Sequence, residues 1–584
     1  MALRGQAAPT APFHPQDSEA HVAVFTGGDA DDIIQGTASA DQLSGGKGAD
    51  QLSGLAGNDQ IWGGDGADTL LGDDGDDYLY AGGTNDSDAF ADILSGGAGY
   101  DRLYGGIGDR FDGGTNPADQ GDFAYVNLQA INQSVILDAG AAGVQQIAGG
   151  GGIVNVEAVE IWTGRFADRI KGGEGADKIH AGDGHDAVYG GGGQDFLYGD
   201  LGNDVLRGQG GFDNLSGGGG HDRLIGGDGN DTLFGDQDAV SLNTDGDDQL
   251  DGGAGDDFLY ANDGNDILVG GTGNDELWGG RGADRFAFSG AGQGADKIRD
   301  FSAADGDRFD LDGKAFTAMA SDGAGGTTLT WDGGSIRVEK VTGLSLAQWN
   351  DLVVKGANTL VRLTNAFDNI QRYSPASDAD RAYVQGLTDK VVSGQMTEAV
   401  ALKAIVNLAD STAGVANLSY QFFTGHTPGE GGMDFLLSPV GPNPTNLNSD
   451  YYAQFNTVNR FINFAVNLGK NGEGKDAFAA KYGAMSLFDA TKEAYHVIFG
   501  NTPTDEKVHT LIDTRVDYLA YYGNDGPNGI GTKAAMVGFL LAAAATEDVG
   551  QFANAHNAYL TDVSDGATFA IDLVGQYGKP EYNF

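Results

Sequence analysis

Gly63-Gly-Asp-Gly-Ala-Asp68-Thr-Leu-Leu71 and the residues that follow it, Gly72-Asp-Asp-Gly-Asp-Asp77-Tyr-Leu-Tyr80, are one nine-residue pattern written twice. Glycines open the unit, an Asp stands sixth, and an apolar residue stands two places beyond the Asp. Going outward, the Asp recurs as Asp32, Asp41, Asp50, Asp59, Asp68 and Asp77, then, after a short insertion, as Asp92 and Asp101. A second array carries Asp168, Asp177, Asp186, Asp195, Asp204, Asp213, Asp222 and Asp231, then Asp248, Asp257, Asp266, Asp275 and Asp284. Each of these 21 Asp residues has its apolar partner, from Ile34 to Phe286. A glycine-rich disordered linker would have no use for so regular an apolar position.

The chemistry of the unit follows from its residues. Glycines such as Gly63, Gly64 and Gly66 permit a tight turn whose carbonyls point at one spot. Asp68 adds a carboxylate there, and Leu70 begins a short strand that points inward. One nonapeptide makes half a coil, so equivalent turns stack 18 residues apart. An ion between stacked turns then meets Asp50 with Asp68, or Asp186 with Asp204, plus turn carbonyls. That is an oxygen cage suited to Ca2+. Rows of such sites are expected on both sides, interrupted at 81–95, 105–162 and 235–251. Within 105–162, Arg110 stands where the Asp is expected, so a weak or absent ion is expected there, and alternating segments at 123–128 and 154–161 read as extra strands packed on the roll.

The nonapeptide resembles that of the repeats-in-toxin (RTX) family, found in secreted proteases, toxins, lipases and surface-layer proteins. The resemblance implies a calcium-binding parallel β-roll. Phe286-Ala-Phe288, Asp296-Lys-Ile-Arg-Asp-Phe301 and Asp307-Arg-Phe-Asp-Leu311 resemble the segment that closes the roll of serralysin-type proteases. The protease signature is missing: no His lies in H-E-x-x-H and no Ser in G-x-S-x-G, so no enzyme is expected.

Composition agrees. Of 584 residues 99 are Gly, and 33 basic against 84 acidic residues leave a net charge of −51. That field repels nucleic acid, which is excluded as a partner, and favours hard cations. With no Cys, disulfides and thiolate metal sites are excluded. Residues 1–15 lack the apolar core of a signal peptide, so export without a cleaved leader is expected.

Beyond residue 365 helical periodicity replaces the repeat. Ser449 reads as the N-cap of a helix ending at Gly469, Ser486 with Asp489 as a capping box, and Thr504 as the start of a helix running through Val516 and Leu519. Residues 530–545 and 548–560 read as two more. Tyr420-Gln-Phe-Phe-Thr-Gly425, Asp434-Phe-Leu436, Asp450-Tyr-Tyr-Ala-Gln-Phe455, Asn459-Arg-Phe-Ile-Asn-Phe464 and Ser564-Asp-Gly566 resemble the N-terminal domain of the Caulobacter surface-layer protein. The resemblance, over about 378–570, implies a helical domain that binds lipopolysaccharide O-polysaccharide on the outer membrane. Its order relative to the repeats is reversed here. Tyr451 and Tyr452 are candidates to stack on sugar rings and Asn459, Arg460 and Asn463 to hydrogen-bond hydroxyls. The competing reading puts these helix-borne aromatics in the core.

The expected fold is thus multidomain β + α: a parallel β-roll with an inserted β segment and a cap, followed by an all-α globular domain. Its parts are a flexible N-terminus (1–24), a first roll array (25–115), the β insertion (116–162), a second array (163–290), a cap and linker (291–364) and a helical anchoring domain (365–584). The expected function is a secreted, calcium-binding surface-layer subunit or accessory, exported by type I secretion machinery, anchored to lipopolysaccharide at the surface of a Gram-negative cell and meeting other surface-layer subunits. A diffusible RTX adhesin and a calcium-dependent hydrolase are the rival classes.

Overall fold

A glycine turn followed by three or four extended residues, repeated, forces the chain into flattened coils whose strands stack in parallel. In the computed structural model Leu43 lies beside Ile61 and Ile61 beside Leu79, each pair 18 residues apart, while Leu52 lies beside Leu70 across the roll. The structure describes residues 22–547 apart from 83–89, 117–120, 141–142, 148–149, 237–245, 290–292, 324, 372–377, 409–411, 425–435, 438–446, 448–451 and 453–454. The chain divides into two compact units, Met1–Ala357 and Asn358–Phe584.

In the first unit one parallel sheet runs unbroken from Ala23–Thr26 to Ala295–Ile298 and ends in the antiparallel strands Phe316–Ser321, Gly326–Trp331 and Gly334–Glu339. Two sheets cover the opposite side, one from Ile33–Gln35 to Gly152–Val154 and one from Ile136–Asp138 to Val353–Val354. The apolar residues that follow each Asp are the core. From Leu43 to Phe286 they are 1% exposed or less, and Ile34 at the open end is half-buried.

The segment at 105–162 differs from its sequence reading. Phe123–Asn127 pairs in parallel with Arg102–Gly105 on one edge and Ala158–Trp162 on the other. These strands are rungs of the roll, not an addition packed upon it. Their alternation places Ala124, Val126, Val159 and Ile161 inward, as a repeat would, so the sheet continues through them.

At the far end the roll is closed by aromatic packing. Phe301 stacks on Phe309, and Trp349 packs edge-on against Phe309 and is fully buried. Trp349 belongs to the short helix Leu346–Asp351, which is fixed by a capping box between Ser345 and Gln348. A solenoid needs such an end to keep its last coil from water.

Outside the core, the unbroken sheet carries aromatic stacks. Trp62, Tyr80 and Tyr104 stack with centroids 5.5 and 4.6 Å apart; Trp162, His180 and Tyr198 form a second stack, and Phe234, Tyr260 and Trp278 a third. The outward charges of these strands are Lys47, Arg102, Lys178, Lys297 and Arg337, with Arg299 just beyond Ala295–Ile298, against Asp65, Glu160, Asp183, Asp200, Glu276 and Glu339. The glutamates are paired: Lys178 with Glu160, Lys297 with Glu276, and Arg299 with both Glu276 and Glu339. The opposite sheets present Ser53, Leu71 and Ser95, and Lys171, Tyr189, Arg207, Ile225, Asp251 and Val269, at equivalent positions.

Second-glycine positions of the turn take a left-handed backbone, and several are not Gly. Gln209 has φ 76° and is exposed. Such a residue is strained by about 1 kcal/mol relative to glycine. Gln209→Gly is therefore expected to stabilise the calcium-loaded roll by about 0.5–1 kcal/mol, read as a melting temperature raised by a few degrees.

In the second unit Ile530–Glu547 is buried along most of its length and crosses Thr457–Val466 closely. A Cβ on Gly538 would sit 2.5 Å from the Phe461 carbonyl oxygen. Ser486 caps Leu487–Phe499, which stops at left-handed Gly500, and Thr504 caps Asp505–Ile512. Two boundaries move from their sequence reading. Thr457–Val466 starts at Asn456, whose side chain accepts from the Asn459 amide, and a second helix, Val516–Gly523, follows a break at Asp513–Arg515. The expected Ser449 cap and the helix at 548–560 lie outside the described residues.

Candidate functional site: two rows of buried carboxylates

Each turn presents its Asp to the coil before it. The Asp186 amide donates to Oδ1 of Asp204 at 2.8 Å, and the Asp204 amide to Oδ1 of Asp222 at 2.8 Å. On the other side Asp177 donates to Asp195 and Asp195 to Asp213, at 2.8 and 2.9 Å. From Asp41 to Asp284 the repeat carboxylates are 3% exposed or less; Asp32, at the open end, is half-buried. The first glycine of the turn makes the cradle: a Cβ on Gly199 would lie 2.5 Å from Asp204 Oδ2 and 2.5 Å from the Gly217 carbonyl oxygen.

The ladder uses one carboxylate oxygen and leaves the other. Oδ2 of Asp50, Asp59, Asp77, Asp186, Asp204 and Asp266, among others, is buried without a hydrogen-bond partner. An unpaired carboxylate in such a place carries a heavy desolvation cost. Burial pushes Asp59 up to about 6, Asp177 up to about 8 and Asp186 up to about 9, and pushes Asp204 and Asp248 well above the ordinary carboxyl range with neighbouring carboxylates adding to it. Backbone amides from the preceding coil work against that rise and do not cancel it. A row of orphaned hard oxygens beside turn carbonyls is a donor set that fits calcium. When bound, the ion supplies the positive charge that lets these acids ionise; the chain supplies the spacing.

The rows are longer than the repeat motif. Insertions at 81–95 and 235–251 do not break the carboxylate ladder: Asp68 donates to Asp92 and Asp77 to Asp101, at 2.6 and 2.9 Å, and Asp222 and Asp231 donate to Asp248 and Asp257, each at 2.8 Å. Stacking sets the register, so extra residues between rungs leave the contact intact. Nor is the turn at 105–108 without its acid. The glycine turn is one residue short, and Asp109, not position 110, takes the place, accepting from Asp92 at 2.9 Å and Gly106 at 2.7 Å.

Asp122 then accepts from Asp101, and Glu157 from Asp122, at 2.8 and 2.7 Å. At the capped end Asp296 and Asp307 accept from Asp275 and Asp284, each at 3.1 Å. Reading for Asp at strict nine-residue spacing missed all five. An acid two residues before an inward apolar residue, as in Asp109-Arg-Phe111 or Asp296-Lys-Ile298, was the available signal. At 105–162 both rows do break, since Asp168 accepts from the Val135 amide and Asp177 from the Val159 amide, neither of them an acid's.

The candidate sugar contacts of the helical unit are not brought together at its surface. Tyr452 is 3% exposed, and Phe461 and Phe464 are buried. The Arg460 guanidinium donates to the carbonyls of Phe455 and Leu447, and Asn463 Nδ2 is buried. Asn459 is at the surface, where its side-chain oxygen accepts from the Tyr518 hydroxyl. Tyr451 lies outside the described residues. An i, i+3, i+4 aromatic pattern is what a core-facing helix shows, and the core claims these rings.

Comparison with known proteins agrees with both halves. The RTX calcium-binding nonapeptide repeat model matches at 26–61, 53–88, 87–114, 162–197, 198–233, 243–277 and 260–290. The RsaA N-terminal domain model matches residues 412–584. No curated protein gives a significant match. Among solved structures the extracellular lipase LipA from Serratia marcescens aligns at 17% identity over 58% of this chain and 41% of that chain, with a TM-score of 0.17. The chain thus spans less than half the length of that lipase. Residues 26–114, 162–233 and 243–290 thus match RTX calcium-binding repeats and residues 412–584 an RsaA N-terminal domain, the two modules that mark a secreted, calcium-binding protein of the Gram-negative cell surface.

Proposed function

We propose that this protein is a non-enzymatic surface-layer subunit or surface-layer accessory. Its roll folds around calcium outside the cell, and its helical unit holds it on the O-polysaccharide of lipopolysaccharide. The observation that carries the first half is the ladder of buried repeat carboxylates, in which Oδ2 of Asp50, Asp59, Asp77, Asp186, Asp204 and Asp266 meets no hydrogen-bond donor. The ligands proposed for the ion are the 21 repeat Asp residues together with Asp109, Asp122, Glu157, Asp296 and Asp307. In the cytosol, where calcium is scarce, the same carboxylates repel one another and keep the chain unfolded for export by type I secretion machinery. Residues 25–357 are then the calcium-folded part, cap included, and 358–584 the anchor.

The anchoring half is supported by the RsaA N-terminal domain match and by charge. Residues 365–584 hold 24 acidic and 13 basic residues, so most of the chain's negative charge lies in the roll, which has little electrostatic reason to approach a phosphate-rich surface. The calcium-loaded protein is expected to sediment with cells that bear O-polysaccharide and to stay in the supernatant of rough cells that lack it. Residues 358–584 alone are expected to reproduce this. Binding by residues 1–357 and none by 358–584 would overturn the anchoring assignment, and equal binding to rough cells would favour an adhesin over a lipopolysaccharide anchor.

A further inference from the structure

We propose that the aromatic face of the unbroken sheet is where a second copy of this chain docks, sheet against sheet. Its outward charges cancel, six basic residues (Lys47, Arg102, Lys178, Lys297, Arg299 and Arg337) against six acidic ones (Asp65, Glu160, Asp183, Asp200, Glu276 and Glu339) on a protein of net charge −51, so two copies meet there with little net repulsion. Phe196, Phe234 and Phe258 stand on it 39%, 37% and 41% exposed. No inward role accounts for them, because the inward positions of their strands are Leu197, Leu233 and Leu259, all fully buried.

Size and ring geometry choose the occupant. From Gln60–Asp65 to Ala295–Ile298 the strands step by about 4.8 Å, which makes the face about 55 Å long and, with side chains, on the order of 700–800 Å². A stable dimer needs about 800 Å² from each partner. A polysaccharide is the alternative, but a sugar needs the flat face of a ring. In the stacks the rings face one another, with interplanar angles of 6° for Trp62–Tyr80 and 4° for His180–Tyr198, and turn their edges outward. Ring edges and exposed Phe side chains suit the side chains of another sheet, packed about 10 Å away. The proposal rests on a calcium-folded roll and is independent of lipopolysaccharide anchoring.

The test is sedimentation equilibrium of the calcium-saturated full chain. Concentration-dependent dimers are expected, and the double substitution F196E/F258E is expected to raise the dimer Kd at least about tenfold, by placing like charges in the interface. L71E, on the opposite sheet, is expected to leave it unchanged, as are the circular dichroism spectrum and melting temperature in every case. Should F196E/F258E fail to fold, the milder pair F196S/F258S carries the same expectation. The proposal is overturned by a protein monomeric at about 100 µM, by dimers that survive both double variants, by an equal effect of L71E, or by soluble O-polysaccharide binding that the F196S/F258S pair abolishes while self-association stays.

Discussion

Treated with EGTA at neutral pH, the protein is expected to lose nearly all its β signal in circular dichroism and to keep its helical signal. The first unit owes its core to one inward side chain per nonapeptide, and its two rows stack buried carboxylates on one another. Domain stability is about 5–15 kcal/mol, and a carboxyl raised by several pH units is worth about 1.4 kcal/mol per unit before solvent screening. A handful of such groups ionising together exceeds what the roll has in reserve. The second unit is built on Leu, Ile, Val and Phe, with Leu540, Leu541, Ile462 and Phe461 buried at its centre. Cooperative loss of both signals would contradict this division.

The sign of the pH dependence follows from the same residues. Asp59, Asp177 and Asp186 rise from an ordinary 3.8 to about 6, 8 and 9 in the folded, calcium-free roll. The folded state therefore holds protons that the unfolded chain has already released. Calcium-free stability is fully present below the unfolded value, near pH 4, and is lost as pH rises through about 6 to 9. Acidifying the EGTA-treated protein to about pH 4 should restore β structure without metal. With calcium bound the dependence inverts, because protons compete with the ion, and affinity should fall as pH falls through the same window.

Trp349→Ala is expected to destabilise the calcium-loaded roll by about 3–5 kcal/mol, the range for emptying a buried indole. Trp349 is fully buried and packs on Phe309 and Phe301. Its loss opens the closed end, so unfolding should begin at residues 285–357. Hydrogen exchange would show the strands nearest the cap losing protection first, with strands near residue 60 changing least. A uniform loss along the roll, or a lowered melting temperature of the helical unit, would argue against a local closing role.

The roll was legible in the sequence because each of its forces acts at a fixed spacing. Asp68 and Leu70 announce a turn ligand and an inward residue whatever lies around them. Legibility failed where stacking and spacing part company. Asp109 sits one residue early and Glu157 replaces an Asp, yet both reach the row, because contact with the neighbouring coil positions them. Phe123–Asn127 follows a turn that opens on Gly113 and Gly114 but runs longer than the nine-residue spacing allows, and it still pairs as a rung through its alternating side chains. In the helical unit the same aromatic pattern serves a core or a sugar site, and only packing separates them. Tyr452 and Phe461 went inward, while Tyr521, at 80% exposed, drew no notice in the sequence.

The contact between Asp186 and Asp204 is repeated between Asp204 and Asp222, and each rung meets only the rung on either side. A chain built this way has no preferred number of coils. Removing or duplicating one 18-residue coil leaves every remaining neighbour relation as it was and changes the rod by one step of about 4.8 Å. Length is thus a trait that unequal recombination among near-identical repeats can adjust in whole units, without first passing through a misfolded intermediate. Descendants of such a gene would differ in reach long before they differed in chemistry.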